Sequence, residues 1–355
     1  MKNFLSSLYG IITVGLIIGI VAATLQYLGN PGNMGICVAC FERDIAGSIG
    51  FHRAGVVQYI RPEIIGILLG AFIISFFKKE FNPRGGSSTI IRFFLGVFAM
   101  IGALVFLGCP WRGLLRLAGG DLNAILGIAG LITGIAGGSF FLKKGFSLGR
   151  SQPQKNKLGG YMMPIFMVVL LLFLVFDFSK IMLSSKGPGS MHAPILISLG
   201  AGLLVGFLAQ RSRFCTMGAI RDLILVKDTH LISGVISLVV SATVLNIILG
   251  QFNIGFEGQP IAHSLHVWNF LGMVLSGLAF SLAGGCPGRQ LILTGEGDTD
   301  SGVFVMGMFV GASFAHNFSL ASSPKGLGEF GAIATIIGII FCVAVGFFMI
   351  EERGK

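Results

Sequence analysis

Two stretches of this sequence share one pattern of residue types: GCPWRGLLRLAGGD at 108–121 and GCPGRQLILTGEGD at 285–298. Each follows a long apolar run, begins with Cys-Pro-x-Arg and ends with Gly-Asp. The shared positions are Cys109, Pro110, Arg112 and Asp121 in the first copy, and Cys286, Pro287, Arg289 and Asp298 in the second. Cys109 and Cys286 are therefore 177 residues apart.

A second pair of stretches repeats at almost the same distance. ICVACFERDI at 36–45 and FCTMGAIRDL at 214–223 each place Arg-Asp six and seven residues after a cysteine. The shared positions are Cys37, Arg43 and Asp44 in the first copy, and Cys215, Arg221 and Asp222 in the second, 178 residues on. Two independent motifs at matched spacing indicate an internal duplication.

The composition places the duplication in a membrane protein. Hydrophobic residues make up 54% of the 355-residue chain and charged residues 11%, whereas soluble domains carry about 25% charged residues. The mean hydropathy is +0.86, and the 54 glycines suit helices that pack closely. The sequence predicts an all-α polytopic membrane protein. We interpret the net charge of +10 as basic loops that orient the protein in the membrane and help to attract an anionic substrate. We predict no nucleic-acid partner.

We predict nine to ten transmembrane helices, the first of them an uncleaved span. The basic loops around 78–92 and 143–157 are predicted to be cytoplasmic, and 251–265, which has no Lys or Arg, to lie outside. Both termini are then cytoplasmic. The ten predicted segments lie near 8–28, 62–77, 91–107, 123–142, 162–180, 194–210, 231–250, 266–283, 301–318 and 331–350.

Five predicted spans separate the two copies, and an odd number places the copies in opposite orientations. Residues 1–160 are predicted to form the first repeat with a cytoplasmic linker, and 161–355 a linking span with the second repeat, all in one membrane unit. The Cys37 and Cys109 elements would re-enter the membrane from outside, and the Cys215 and Cys286 elements from the cytoplasm. Such inverted repeats with discontinuous helices are typical of transporters. We expect an hourglass with cysteines at its waist.

The charged residues of the motifs have two interpretations. Pro110 and Pro287 suit the first position of a helix, and a helix start with arginine nearby is an anion site. Alternatively, the arginines and aspartates pair to anchor their loops, or the aspartates cap the next helix. The predicted anion-attracting or loop-anchoring residues are Arg43, Arg112, Arg221, Arg289, Asp44, Asp121, Asp222 and Asp298.

The thiols form the predicted substrate pathway, which comprises Cys37, Cys40, Cys109, Cys215 and Cys286. A neutral thiol is a weak donor and acceptor that holds an anion lightly. The alternatives are small buried hydrophobes, a redox or zinc pair at Cys37-x-x-Cys40, or a nucleophile activated at a helix start. No further ligands complete a zinc site, so we predict no metal and no cofactor. Trp111 and Trp268 are interpreted as interface anchors, with the waist as an alternative for Trp111.

At these motifs the sequence resembles the YeeE/YedE family of bacterial inner-membrane proteins. GNPGNMGICVACFERDIAG, GGCPGRQLILTGEGDTD and IRPEIIGILLGAF further resemble its selenium-metabolism branch, YedE or FdhT. The resemblance implies uptake of thiosulfate or a related species through an hourglass fold, with Cys37, Cys109 and Cys286 at the relay positions. Cys40 and Cys215 depart from the three-cysteine pattern. It also implies a cytosolic TusA-like sulfur-carrier partner.

The predicted function is a transporter, not an enzyme, for a small sulfur- or selenium-containing anion. The chain has no GxxxxGK[ST] motif, so it does not hydrolyse ATP through a P-loop. One alternative is a membrane sulfur- or selenium-transfer enzyme or scaffold that forms a cysteine persulfide or selenosulfide with the carrier. Another is a non-transporting protein that recruits that carrier.

Overall fold

The computed structural model describes residues 4–176 and 178–351. Ten long helices lie at the ten predicted positions, and eight helical segments are long and apolar enough to cross a bilayer. The remaining two are α3, which has only 16 residues, and α13, whose polar residues exclude it from this group. The long helices are α1 (Leu8–Tyr27), α3 (Pro62–Phe77), α4 (Thr89–Phe106), α6 (Asn123–Lys143), α7 (Leu158–Val175), α8 (Ile195–Ser212), α10 (His230–Ile248), α11 (His266–Ala283), α13 (Thr299–Asn317) and α14 (Gly331–Phe348).

Four short helices alternate with the long ones, and each begins directly after a cysteine of the duplicated motifs. They are α2 (Val38–Ser48), α5 (Pro110–Ala118), α9 (Thr216–Val226) and α12 (Pro287–Gly295). The helices α2 and α9 both have 11 residues, and α5 and α12 both have nine. The corresponding short helices of the two repeats therefore have the same length, in agreement with the duplication of their motifs.

The two halves of the chain pack against each other reciprocally. Helix α1 packs on α10 and α3 on α8, while α4 packs on α13 and α6 on α11. Under the duplication α1 corresponds to α8, α3 to α10, α4 to α11 and α6 to α13. Each main contact between the halves therefore occurs twice, once with each half supplying the equivalent helix. The two halves are packed together as one unit within the described residues.

Small residues bring these helices together. At Gly66 and Gly202 an added Cβ on either residue would contact the Cα of the other, where α3 crosses α8. Gly96 and Gly307 make the equivalent approach between α4 and α13. Close backbone approach at small residues stabilises helix pairs in lipid, where no hydrophobic effect drives them together.

One element was not predicted from the sequence. Strands β1 (Arg84–Gly85) and β2 (Gln152–Pro153) pair antiparallel and join the two basic loops. Two short 3₁₀ turns, at Phe4–Ser6 and Pro188–Ser190, complete the described elements. The pairing fixes the linker at 142–160 against the loop that follows α3.

Candidate functional site

Each short helix has a cysteine at its N-cap. The Cys37 sulfur accepts the Cys40 N–H at 3.4 Å, and the Cys215 sulfur accepts the Gly218 N–H at 3.3 Å. In α5 and α12 a proline follows the cysteine at the first helical position, as expected for a residue that lacks an N–H. The helices α5 and α12 thus begin at Pro110 and Pro287.

The four N-cap cysteines form two pairs. The sulfurs of Cys37 and Cys109 are 3.8 Å apart and are called the first thiol pair below. The sulfurs of Cys215 and Cys286 are also 3.8 Å apart and form the second thiol pair. Every one of these thiols is free and buried. Each pair joins two motifs that were predicted to enter the membrane from the same side.

The other two cysteines differ in position. Cys40 lies in α2, where its sulfur is 3.8 Å from Nη1 of Arg112. Cys342 is buried within α14, outside the duplicated motifs. Among residues 4–176 and 178–351, no three His, Cys, Asp or Glu side chains are placed to hold a metal ion.

Arg112 is fully buried, and its partners are neutral. It donates to the backbone carbonyls of Leu107, Asn33 (3.4 Å), Pro260 (3.3 Å) and Ile261 (3.1 Å). Among the described residues none of its hydrogen-bond partners is a carboxylate. The arginine therefore holds the 251–265 loop against α5 and keeps its positive charge beside Cys40.

The aspartates at the ends of these motifs do not pair with the motif arginines Arg112 and Arg289. Asp121 pairs with Arg116 at 2.6 Å, and Asp298 pairs with Arg84 at 2.9 Å. Asp298 is the N-cap of α13, whereas the N-cap of α6 is Leu122. Asp298 Oδ1 accepts the Ser301 N–H at the start of α13, and Asp121 Oδ1 accepts the Asn123 N–H at the start of α6.

The Arg-Asp pairs after Cys37 and Cys215 both form, in different surroundings. Arg43 contacts Asp44 at 2.6 Å with both side chains buried, and Arg61 contacts the other oxygen of Asp44. Arg221 contacts Asp222 at 2.8 Å, with 32% and 25% of the two side chains exposed. The first copy is therefore closed off, whereas the second opens toward solvent.

A polar cavity of about 840 Å³ lies beside the second copy. Arg289 lines it and contacts Glu296 at 3.5 Å. On its rim, hydrogen bonds from Arg211 and Gln210 lower the pKa of Glu80. The charged side chains that line it are Arg84, Arg211, Arg213, Arg289, Glu80, Asp222, Asp228 and Glu296. Its lining has mixed charge and includes Asp222 of α9 and Arg289 of α12.

Trp111 and Glu42 are both buried in the short helices, and Glu42 was not assigned a role from the sequence. Trp111 is only 2% exposed, so its interpretation as an interface anchor is wrong. Glu42 is fully buried, and neither of its carboxylate oxygens has a hydrogen-bond partner among the described residues. The position of Glu42 inside ICVACFERDI was the available signal.

The fold and the site define a class: a multi-pass, all-helical membrane protein with paired thiols at the starts of short internal helices. The family described as "Sulphur transport" matches residues 211–351. The thiosulfate transporter TsuA of Spirochaeta thermophila is 36% identical over 102 residues, which are 28% of this chain and 30% of that protein. The Escherichia coli thiosulfate transporter TsuA is 32% identical over 111 residues, 30% of each chain.

A third relative is matched over most of its own length. The uncharacterized protein MJ1590 of Methanocaldococcus jannaschii is 34% identical over 96 residues, 24% of this chain and 91% of that protein. The chain belongs to the YeeE/YedE sulphur-transport family. It spans less than a third of the length of the two thiosulfate transporters.

Proposed function

We propose that this protein carries a small sulfur-containing oxyanion across a bacterial inner membrane by passing it along its buried thiols. The observation that carries the proposal is the presence of two thiol pairs, each at 3.8 Å, at the starts of four internal helices. Thiosulfate is the first candidate, because two relatives are named as its transporters. A selenium oxyanion is the second candidate, from the resemblance to the selenium-metabolism branch.

The chemistry of the site suits transient binding. Neutral thiols are weak donors and acceptors, and transport requires sites that release the ion as well as hold it. The start of each short helix adds backbone N–H groups and a partial positive charge. A polarizable anion moves from the first thiol pair to the second without entering a deep free-energy minimum.

The surrounding charges have separate proposed roles. Arg112 gives the passage a positive potential beside Cys40, and Arg289 does so at the edge of the polar cavity. Arg43 with Asp44, and Arg221 with Asp222, form ion pairs in the middle of α2 and α9 and fix these helices in place. Asp121 and Asp298 fix the helices that follow α5 and α12.

The two faces follow from the predicted topology. Residues 1–160 and 161–355 are the two inverted repeats, the first thiol pair faces outside, and the second faces the cytoplasm. The polar cavity is then the cytoplasmic mouth, beside which a TusA-like sulfur carrier docks. No such partner is needed for the anion to cross.

Uptake into proteoliposomes that contain only the purified protein tests this proposal. We expect saturable uptake of labelled thiosulfate or selenite, lost in Cys109→Ala and in Cys286→Ala. Cys342→Ala is the matched control, because Cys342 is also buried and free but lies outside the motifs. Wild-type uptake in both cysteine variants would overturn the thiol pathway.

Mass spectrometry after exposure to thiosulfate separates transport from sulfur transfer. In the transfer reaction a thiolate attacks the outer sulfur of thiosulfate, the S–S bond breaks, sulfite leaves and a persulfide remains on the cysteine. A conduit leaves the cysteine-containing peptides unchanged in mass. A gain of one sulfur atom on a thiol-pair peptide, without flux, would instead make the protein a sulfur-transfer scaffold.

A further inference from the structure

Trp111 lies between the two thiol pairs. It follows Cys109 of the first pair by two residues. Its ring packs edge-on against Phe214, the residue before Cys215, with ring centroids 6.0 Å apart. It also packs against Gly288, two residues after Cys286. One side chain therefore contacts the starts of both helices that carry the second pair.

The six-membered ring of the Trp111 indole covers the start of α12. A Cβ added at Gly288 would lie 2.7 Å from Cζ2 and 3.0 Å from Cε2 of Trp111. Cε2 is bonded directly to Nε1, so the indole N–H belongs to the ring atom next to this contact. Glycine at this position is what lets the ring approach.

Two donors at this place have no partner. Trp111 Nε1 and Thr216 Oγ1 are both buried, and neither makes a hydrogen bond within the described residues. Thr216 directly follows Cys215 and is the first residue of α9. Buried donors are normally satisfied, so an unpaired one calls for an explanation such as a ligand or water. Two of them beside one thiol pair indicate a ligand that accepts hydrogen bonds.

We propose that Trp111 Nε1 and Thr216 Oγ1 bind an oxygen atom of the transported anion at the passage between the first and second thiol pairs. This inference rests on the proposed transport function and narrows its substrate class. The indole N–H donates only, and the threonine hydroxyl also donates. An anion with terminal oxygens satisfies both, whereas hydrogen sulfide or hydrogen selenide offers only a weak chalcogen acceptor. The site therefore selects chalcogen oxyanions.

The experiment compares variants that remove one donor each. Trp111→Phe keeps an aromatic ring and removes the N–H, and Thr216→Val removes the hydroxyl. Each should raise the KM for thiosulfate uptake about tenfold or more, because a hydrogen bond to a charged group is lost. Thr216→Ser keeps the hydroxyl and should restore most of the affinity that is lost in Thr216→Val. Trp268→Phe is the matched aromatic control and should also do so.

A binding measurement keeps this inference separate from transport. The chain has two tryptophans, so Trp268→Phe leaves Trp111 as the only fluorophore of that type. Thiosulfate should change its emission with saturation, and sodium sulfide at the same concentration should not. Thr216→Val should weaken the thiosulfate response in this background.

The outcomes distinguish the two proposals. Thiol-dependent uptake with unchanged KM in Trp111→Phe and Thr216→Val would overturn the donor site and leave the transporter intact. A saturable thiosulfate response without flux would support the donor site while the transport proposal fails. Equal responses to thiosulfate and sulfide would overturn the selection of oxyanions.

Discussion

Two buried glutamates show how differently one residue type is accommodated in this protein. Glu63 accepts hydrogen bonds from Asn30 at 2.8 Å and from Ser198 at 2.9 Å. Glu42 is equally buried, but neither of its oxygens has a partner within the described residues. A charged carboxylate without partners in such surroundings is very costly.

This contrast predicts opposite effects on stability. Glu63→Leu leaves the Ser198 hydroxyl without its acceptor, and Asn30 Nδ2 keeps only the Gly35 carbonyl, so the variant should destabilise the fold by about 1–3 kcal/mol. Glu42→Leu removes an unsatisfied polar group at similar volume, so the melting temperature should be unchanged or higher. Thermal unfolding of the detergent-purified variants measures both. Equal losses of stability in the two would contradict the assignment of their hydrogen bonds.

Gly288 provides a second test at the residue scale. Gly288→Ala places a methyl group against the Trp111 ring and should lower the melting temperature, since overpacking costs about 1–3 kcal/mol. Gly200→Ala in α8 is the matched control, because an added Cβ there meets no atom within 4 Å. That control should be neutral or slightly stabilising. A Gly288→Ala protein as stable as the control would show that the ring does not lie on this glycine.

Some features of the four short helices could be predicted from the sequence and others could not. Proline after cysteine was enough to predict helix starts at Pro110 and Pro287, whereas the elements at Cys37 and Cys215 were predicted only as re-entrant segments. The pairing of their thiols joins residues 72 and 71 positions apart, which no local pattern encodes. The strands β1 and β2 have two residues each, too few to show any periodicity.

Charged partners were the hardest feature of these elements to predict. The sequence pairs each aspartate with the arginine of the Cys-Pro-x-Arg signature, but the structure pairs Asp121 with Arg116, later in the same motif, and Asp298 with Arg84, in a distant loop. Arg112 has carbonyl oxygens as its main acceptors. Backbone carbonyls that are not used within a helix are available to side-chain donors such as Arg112. Which of these carbonyls lie near the arginine depends on the tertiary structure.

A pH dependence belongs to the contact between α8 and the loop after α3. Arg211 and Gln210 lower the pKa of Glu80 in the folded protein. This contact therefore adds stability above the ordinary glutamate pKa of about 4.3, and the contribution is lost as the pH falls through the lowered value.

The measurement is the melting temperature between pH 6 and pH 3.5, in wild type and Glu80→Gln. As the pH falls, the melting temperature of the wild type should decrease slightly more steeply than that of Glu80→Gln. The difference should be smaller at high salt, because the Arg211–Glu80 pair is partly exposed. A steeper decrease of the melting temperature in Glu80→Gln than in the wild type would contradict the predicted loss of stability at low pH.

At the scale of the whole molecule, the duplication decides the architecture. Composition and hydropathy located all ten long helices, and the repeated motifs indicated how the halves correspond. Sequence alone did not give the exchange of contacts, in which α1 packs on α10 and α3 on α8. That exchange depends on which glycine faces are opposed in space, such as Gly66 with Gly202.

The predicted inversion of the halves has a direct test. The native cysteines can be kept, because all of them are buried. One additional cysteine introduced at residue 190 should then react with an impermeant thiol reagent from outside the cell. One introduced at residue 150, in the basic linker, should react only after the membrane is opened. Labelling of both from the same side would overturn the inverted arrangement.

The carbonyl-bound Arg112 has a consequence for energy conversion. Under the proposed function, a fixed cation with neutral partners favours an anion over a metal cation in the passage, so the charge of the substrate is selected before its shape. An anion that leaves this charge for a negatively polarised cytosol moves against the voltage. The cost is about 2.3 kcal/mol per elementary charge at 100 mV. For a dianion such as thiosulfate the cost doubles, so net accumulation requires a coupled ion or rapid consumption of the anion inside the cell.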